Sequence, residues 1–337
     1  MNSFLPSRIL SLLLFLFLSL GLTTACGETE SGSTDPLPFT DQEEGDGHNG
    51  EESNTGDQDS EPGSTGDGDN QEPGIRDHTG PIGPEDRLVY PRFPSSYDNA
   101  GNHPLLIMLH GIGSNAAQTL GFFNLTNQAH AAGFVILTPE GTIDSMGRRF
   151  WNATDACCDF DGTRVDDLSY LTDLIDEAVE KYAVNPDQVY FMGLSNGGFM
   201  AHRMACHRGD RIKAIVSFNG SSFKRPENCS PDHPVHIFHV HATADTTVPY
   251  NSNLYIPGAR EVAERWADWN SCDPDPVGLP NVAVTTVIAG DETTVEVWEN
   301  CQEGGGSELW TIHDAPHVPF PLADFPDLII DAFQELF

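Results

Sequence analysis

The sequence predicts an α/β domain over residues 76–337, with a mostly parallel central sheet and helices on both faces. Two observations carry that expectation. Short apolar runs alternate with helix-patterned segments throughout the stretch, the order expected of a parallel sheet covered on both sides. Its 262 residues also suit one large α/β domain better than two small ones. In chain order, Leu105–Leu109, Phe134–Leu137, Val189–Met192, Ala214–Phe218 and Val235–Val240 read as buried strands. Helices are expected over Ala116–Ala132, Val165–Tyr182, Gly197–Cys206 and Arg260–Trp269, and over Phe325–Phe337 at the end of the chain. Asp166 and Asp167 open the second of these, where carboxylates meet the positive end of the helix dipole.

Residues 1–25 read as an export signal: Arg8 supplies the positive end, and the apolar stretch Ile9–Leu22 is too short to span a bilayer. It closes on Thr23-Thr24-Ala25-Cys26, which resembles the lipobox of bacterial lipoproteins, with Thr23 where Leu is usual. Cys26 is then the lipid attachment point, and the protein is expected outside the cytoplasm, lipid-anchored at the cell surface or periplasm, or secreted. The alternative is an ordinary secretory signal. Residues 26–75 follow as a tether: positions 27–75 hold 15 acidic and no basic side chains among Gly, Ser, Thr and Pro. Such a composition buries too little apolar surface to offset its ordering entropy.

The whole chain has 16 Lys and Arg against 51 Asp and Glu, a net charge of −35. That argues against a phosphate-backbone partner, so no nucleic acid is expected. With Cys26 set aside, Cys157, Cys158, Cys206, Cys229, Cys272 and Cys301 remain, an even number that suggests disulfides in an exported chain. Cys272 with Cys301, which bracket a predicted hairpin, is the preferred pair. Neighbouring cysteines rarely bond each other, so Cys157 and Cys158 are each expected to reach elsewhere. No Cys-x-x-Cys spacing points to zinc, and His239 and His241, two apart on a strand, lack an obvious third ligand.

Chemistry is concentrated at strand ends. Gly193-Leu194-Ser195-Asn196-Gly197 is a G-x-S-x-G turn placed directly after one strand and before a helix. The sharp turn lifts a serine oxygen clear of the sheet, and its glycines let strand and helix approach. An earlier strand runs into His110-Gly111-Ile112-Gly113, where backbone N–H groups of Ile112 and Asn196 can serve as oxyanion donors. Their side chains are expected to matter little, and His110 is expected to be a structural side chain bonded within its turn. A nucleophilic serine needs a base and an acid that holds the base's tautomer. Asp245 and His317, each in a loop after a predicted strand, supply them, with His313 as the second candidate for the base. The order Ser195, Asp245, His317 is that of the α/β-hydrolase fold.

With these residues in place, the domain resembles the polyhydroxybutyrate depolymerase-type esterases, a family that includes feruloyl and acetyl xylan esterases. The carriers are Leu109-His110-Gly111-x-Gly113-Ser114, Trp151-Asn152 with Cys157-Cys158, Val165-Asp166-Asp167, the run from Val189-Tyr190 to Gly197-Gly198-Phe199-Met200, and Asp245 with Val248-Pro249-Tyr250. The resemblance implies a serine carboxylic-ester hydrolase with Ser195, Asp245 and His317 as its triad, acting on aryl, acyl or hydroxyalkanoate esters of plant polysaccharide or polyester. The chain departs from the family at Ile112, where Cys is frequent, at Ala242, where Gly is frequent, and at Ala315-Pro316-His317-Val318-Pro319-Phe320 around the base. No metal or organic cofactor is expected, and a monomer is. The rival readings are a peptidase of the same fold and a surface-anchored binding module without catalysis.

Overall fold

The computed structural model describes residues 79–337. The chain divides into two units, Met1–Asp69 and Asn70–Phe337, and every described residue belongs to the second. The expected signal segment, Cys26 and the tether at 26–75 lie outside the described residues. No helix among the described residues is long and apolar enough to cross a membrane.

The described strands, in chain order, are β1 (His103–Leu109), β2 (Val135–Leu137), β3 (Thr142–Ile143), β4 (Arg149–Phe150), β5 (Val184–Leu194), β6 (Ala214–Phe218), β7 (His236–Ala242), β8 (Val277–Val282), β9 (Thr293–Trp298) and β10 (Gly306–Ile312). The helices are α1 (Ala116–Phe123), α2 (Thr126–Ala131), α3 (Asp167–Lys181), α4 (Asn196–His207), α5 (Ala259–Trp269) and α6 (Phe325–Gln334). Eight strands form one sheet in the order β2-β1-β5-β6-β7-β10-β9-β8. The first six run parallel, and β9 and β8 close the edge as an antiparallel hairpin. β3 and β4 form a separate two-stranded ribbon.

Alternation along each strand divides the core into two layers. On β1, Leu105, Ile107 and Leu109 face the side covered by α3, α4 and α5. Leu106 and Met108 face the side covered by α1, α2 and α6. On β7 the even residues Phe238, Val240 and Ala242 meet α6 through Ile329 and Phe333, while Ile237 faces α4 and α5. Each such large apolar side chain taken wholly from water contributes on the order of 1.5–3 kcal/mol before entropy is charged against it.

Three sequence expectations need correction. The single helix expected over Ala116–Ala132 is two, because Asn124 adopts φ 48°, ψ 34° and ends α1 with its N–H on the Leu120 carbonyl. Asn is among the few residues that enter the left-handed region readily. The helix expected from Val165 starts at Asp167, with the Asp166 carboxylate capping the Ser169 N–H; Asp167 is wholly buried and accepts from Arg87 Nη1 at 2.9 Å and the Asn152 amide at 2.8 Å. It stands in the first turn of α3, as expected, and pairs there with an arginine as well. Finally, Cys157 and Cys158 bond each other, across a cis peptide. Cys206–Cys229 and Cys272–Cys301 occupy the other four cysteine sulfurs among the described residues. The Cys272–Cys301 pair closes the base of the β8–β9 hairpin, as the sequence led us to expect.

Candidate active site

β5 lies in the middle of the sheet and α4 begins one residue after it, so the turn between them must reverse direction within Ser195. That residue takes φ 56°, ψ −120°, a conformation that costs on the order of 1–3 kcal/mol for a residue with a side chain. Its amide donates to the Phe218 carbonyl at 2.9 Å and its carbonyl accepts from Phe199 at 3.0 Å. Glycine is required on both sides: a Cβ at Gly193 would overlap the Gly197 backbone, and one at Gly197 would overlap the Leu109 carbonyl.

His317 stands in the loop after β10, with Ser195 Oγ 2.9 Å from its Nε2. Its Nδ1–H donates to Asp245 Oδ2 at 2.6 Å, which leaves Nε2 to accept the serine proton. Asp245 follows β7, and its Oδ1 accepts the amides of Thr247 at 2.8 Å and Val248 at 2.9 Å. Burial alone would raise this carboxyl, but hydrogen bonds from His241 and His317, the charge on His317 and the Val248 amide hold it well below the ordinary carboxylate range. The structure thus brings together Ser195, Asp245 and His317 from three loops at the carboxyl ends of the parallel strands β5, β7 and β10. His313 is elsewhere: it is exposed, and its Nε2 meets Thr294 Oγ1 at 3.2 Å.

Of the two residues expected to supply oxyanion donors, Asn196 adjoins this serine in the chain and Ile112 lies in a turn beside it. Asn196 is the first residue of α4, where an N–H has no intrahelical acceptor. Ile112 lies in a turn fixed by the Gly113 amide on the Arg149 carbonyl at 2.8 Å and the Ser114 amide on the Gly111 carbonyl at 3.1 Å. A Cβ placed on Gly111 would stand 3.4 Å from Ser195 Cβ, so this turn abuts Ser195. The expectation that the Asn196 side chain matters little is corrected. Its Oδ1 accepts the Trp151 amide at 2.7 Å, and its Nδ2 donates to the Trp151 carbonyl at 2.9 Å and approaches Cys157 Sγ at 3.7 Å. This side chain pins the start of α4 to the segment that carries the vicinal disulfide.

His110 is structural. The Gly141 amide donates to its Nε2 at 2.9 Å, and its Nδ1–H donates to the Gly111 carbonyl at 2.8 Å. Burial, assisted by the Arg149 and Arg87 charges, lowers it to about 4 against the pull of the Gly111 bond, so it is neutral. Sequence reasoning missed Asn219, which follows β6 at φ 47°. Its Nδ2 donates to the His317 carbonyl at 2.7 Å and its Oδ1 accepts the Ala242 amide at 2.7 Å. It therefore ties the His317 loop to the strand leading to Asp245. Its available signal was an Asn before Gly220 at the end of an apolar run. His239 and His241 spend their ring nitrogens on neighbours rather than converging on a point, and among the described residues no group of three or more His, Cys, Asp or Glu could hold a metal ion.

A parallel sheet bearing a strained serine turn, with an aspartate and a histidine following later strands, has counterparts among known proteins. The Phospholipase/Carboxylesterase family model matches residues 97–255. An acetyl xylan esterase from Aspergillus awamori superposes with a TM-score of 0.54 at 15% identity, over 77% of this chain and 98% of that one. The chain has the α/β-hydrolase fold. By sequence the chain is 27% identical over 248 residues to feruloyl esterase B of Piromyces equi, covering 69% of this chain and 42% of that protein. It is 22% identical over 240 residues to feruloyl esterase D of Neurospora crassa, covering 68% and 72%. The chain thus spans less than half the length of the Piromyces protein.

Proposed function

We propose that the protein is a serine carboxylic-ester hydrolase that works through an acyl-serine intermediate. The observation that carries this reading is the continuous path Ser195 Oγ to His317 Nε2 at 2.9 Å and His317 Nδ1 to Asp245 Oδ2 at 2.6 Å. As Ser195 attacks the ester carbonyl, His317 removes its proton, and the fixed Asp245 carboxylate stabilises the imidazolium that results. The carbonyl oxygen gains negative charge as it becomes tetrahedral, and the preorganised amides of Ile112 and Asn196 receive it. His317 then returns the proton to the leaving alcohol, the acyl group stays on Ser195, and water repeats the sequence to release the acid. Every proton in this cycle is handled by His317, so neither metal nor organic cofactor is needed.

The substrates we propose are aryl or acyl esters carried on polysaccharide, in keeping with the feruloyl and acetyl xylan esterases among its relatives. Hydroxyalkanoate oligoesters are the second class. The working unit is residues 76–337, held outside the cytoplasm by lipid on Cys26 through the acidic segment 26–75, and it acts as a monomer. The test is initial rates of the full chain on methyl ferulate, an aryl acetate and a soluble 3-hydroxybutyrate oligomer, alongside Ser195→Ala. Ferulate or acetate turnover lost in the variant supports the polysaccharide-ester reading, and selective oligomer turnover replaces it with the polyester reading. Ester hydrolysis that persists in Ser195→Ala contradicts the mechanism. Labelled palmitate incorporated in a lipoprotein-processing host and abolished by Cys26→Ser is the expected result for the anchor; none incorporated in the parent chain removes it.

A further inference from the structure

A run of buried rings ends at the acid of this site. The indole N–H of Trp266, on α5, can only donate, and it donates to Nδ1 of His202, on α4, at 3.0 Å. A neutral imidazole carries one proton, so His202 is protonated at Nε2, which lies 3.3 Å from Nδ1 of His239 on β7. The same reasoning passes along the strand. His239 is protonated at Nε2 and donates to Nδ1 of His241 at 3.3 Å. His241 in turn points its Nε2–H at the Val248 carbonyl at 2.8 Å, with Asp245 Oδ2 3.5 Å away. All three histidines and Trp266 are wholly buried. Burial lowers His202 to about 3, and burial with the two flanking rings carries His239 far below its ordinary range, so both are neutral.

We propose that Trp266, His202, His239 and His241 form a one-way hydrogen-bond relay that positions the catalytic acid. Because the first donor cannot reverse, each ring is held in a single tautomer, and the last one must present an N–H, never a lone pair, to the pocket that holds Asp245. A lone pair there would repel the carboxylate. An N–H instead stabilises its charge and leaves Oδ2 aimed at His317. His239 and His241 alternate with Phe238 and Val240 along β7, so their side chains lie on the α4–α5 face of the sheet, where ordinary packing would call for aliphatic side chains such as Ile237. Successive donation in a dry interior also polarises each bond in the same direction. The four residues touch no reacting atom and are positioning residues.

The inference rests on Asp245 serving as the acid of the proposed esterase, and the test separates the two. His239→Leu breaks the relay at its centre without touching Asp245, Val248 or His317. Its kcat is expected to fall on the order of tenfold, the scale at which outer partners of an oriented imidazole act, with KM unchanged. His239→Gln, whose amide can both accept and donate, is expected to recover most of the loss. In nitrogen-15 spectra of the parent, His202, His239 and His241 are expected as Nε2-protonated rings, and in His239→Leu the strongly deshielded His317 Nδ1 proton is expected to move upfield. An Nδ1-protonated His241 in the parent overturns the relay, even if the Leu variant does not fold. Unchanged kcat in a folded His239→Leu, with activity still dependent on Ser195, overturns the relay alone. Activity independent of Ser195 overturns the esterase site and the relay with it.

Discussion

Asp245 makes the sharpest residue-scale demand on the mechanism. Its carboxylate is what keeps the His317 proton on Nδ1, so Asp245→Asn, whose amide can present a donor there, sets the base in the wrong tautomer. The expected result is a loss in kcat on the order of 10⁴-fold with the fold retained, measured as steady-state hydrolysis beside a thermal melt; an Asn variant within tenfold of the parent contradicts the assignment. Asn219→Ala removes the donor to the His317 carbonyl and the acceptor of the Ala242 amide together. Leaving such groups unpaired costs about 1–3 kcal/mol, and kcat is expected to fall more than KM rises. The contrast between these residues explains what the sequence could disclose. Ser195, Asp245 and His317 each follow a strand inside a recognisable local pattern. Asn219 and the Asn196 side chain act through partners 98 and 45 residues away, and no local pattern records those contacts.

At the scale of elements, the turn between β5 and α4 and the paired cysteines are where single changes should be most costly. Gly197→Ala forces a methyl group into the Leu109 carbonyl, and because the obstacle is backbone on the neighbouring strand, little can yield. The expected outcome is loss of soluble folded protein or of all activity; a folded, fully active Gly197→Ala contradicts the observed approach of α4 to β1. The Cys206–Cys229 bridge joins the end of α4 to the segment before β7 with a separation of 23 residues. Removing it as the double alanine variant should cost about 3 kcal/mol through the freed unfolded chain, read as a lower denaturant midpoint with an undiminished active-site titre at room temperature. Strands were more legible than helices here. Ala214–Phe218 falls where the apolar run placed it because burial on both faces leaves only apolar residues. The break at Asn124 hangs on one residue's conformation inside an otherwise helical pattern.

Across the whole molecule, the fold buries neutral histidines under a strongly acidic surface. His110 and His202 are lowered to about 4 and about 3, and His239 further still in the same direction, each chiefly by burial. As pH falls below the ordinary imidazole value of about 6.5, the unfolded chain takes up protons at these sites that the folded chain refuses. Stability must therefore fall on acidification from about 6.5 towards 4. Asp245, held low, adds its own loss only as pH drops through and below the ordinary carboxylate range. Melts between pH 7.5 and 5 in about 1 M salt, where the screening length is about 3 Å, are expected to show a falling Tm; a flat or rising Tm contradicts the neutral buried rings. The sheet class was legible in the order of apolar runs, whereas the interior histidine path was not, because it joins α4, β7 and α5 through contacts that no single segment contains. The central claim is that Ser195 is a nucleophile activated by His317, and stoichiometric labelling by an activated phosphonate ester, mapped by peptide mass, tests it most directly. One label per chain on Ser195, with labelling strongly slowed in His317→Ala, is the result this account requires; a fully active chain that takes no label at Ser195 contradicts it.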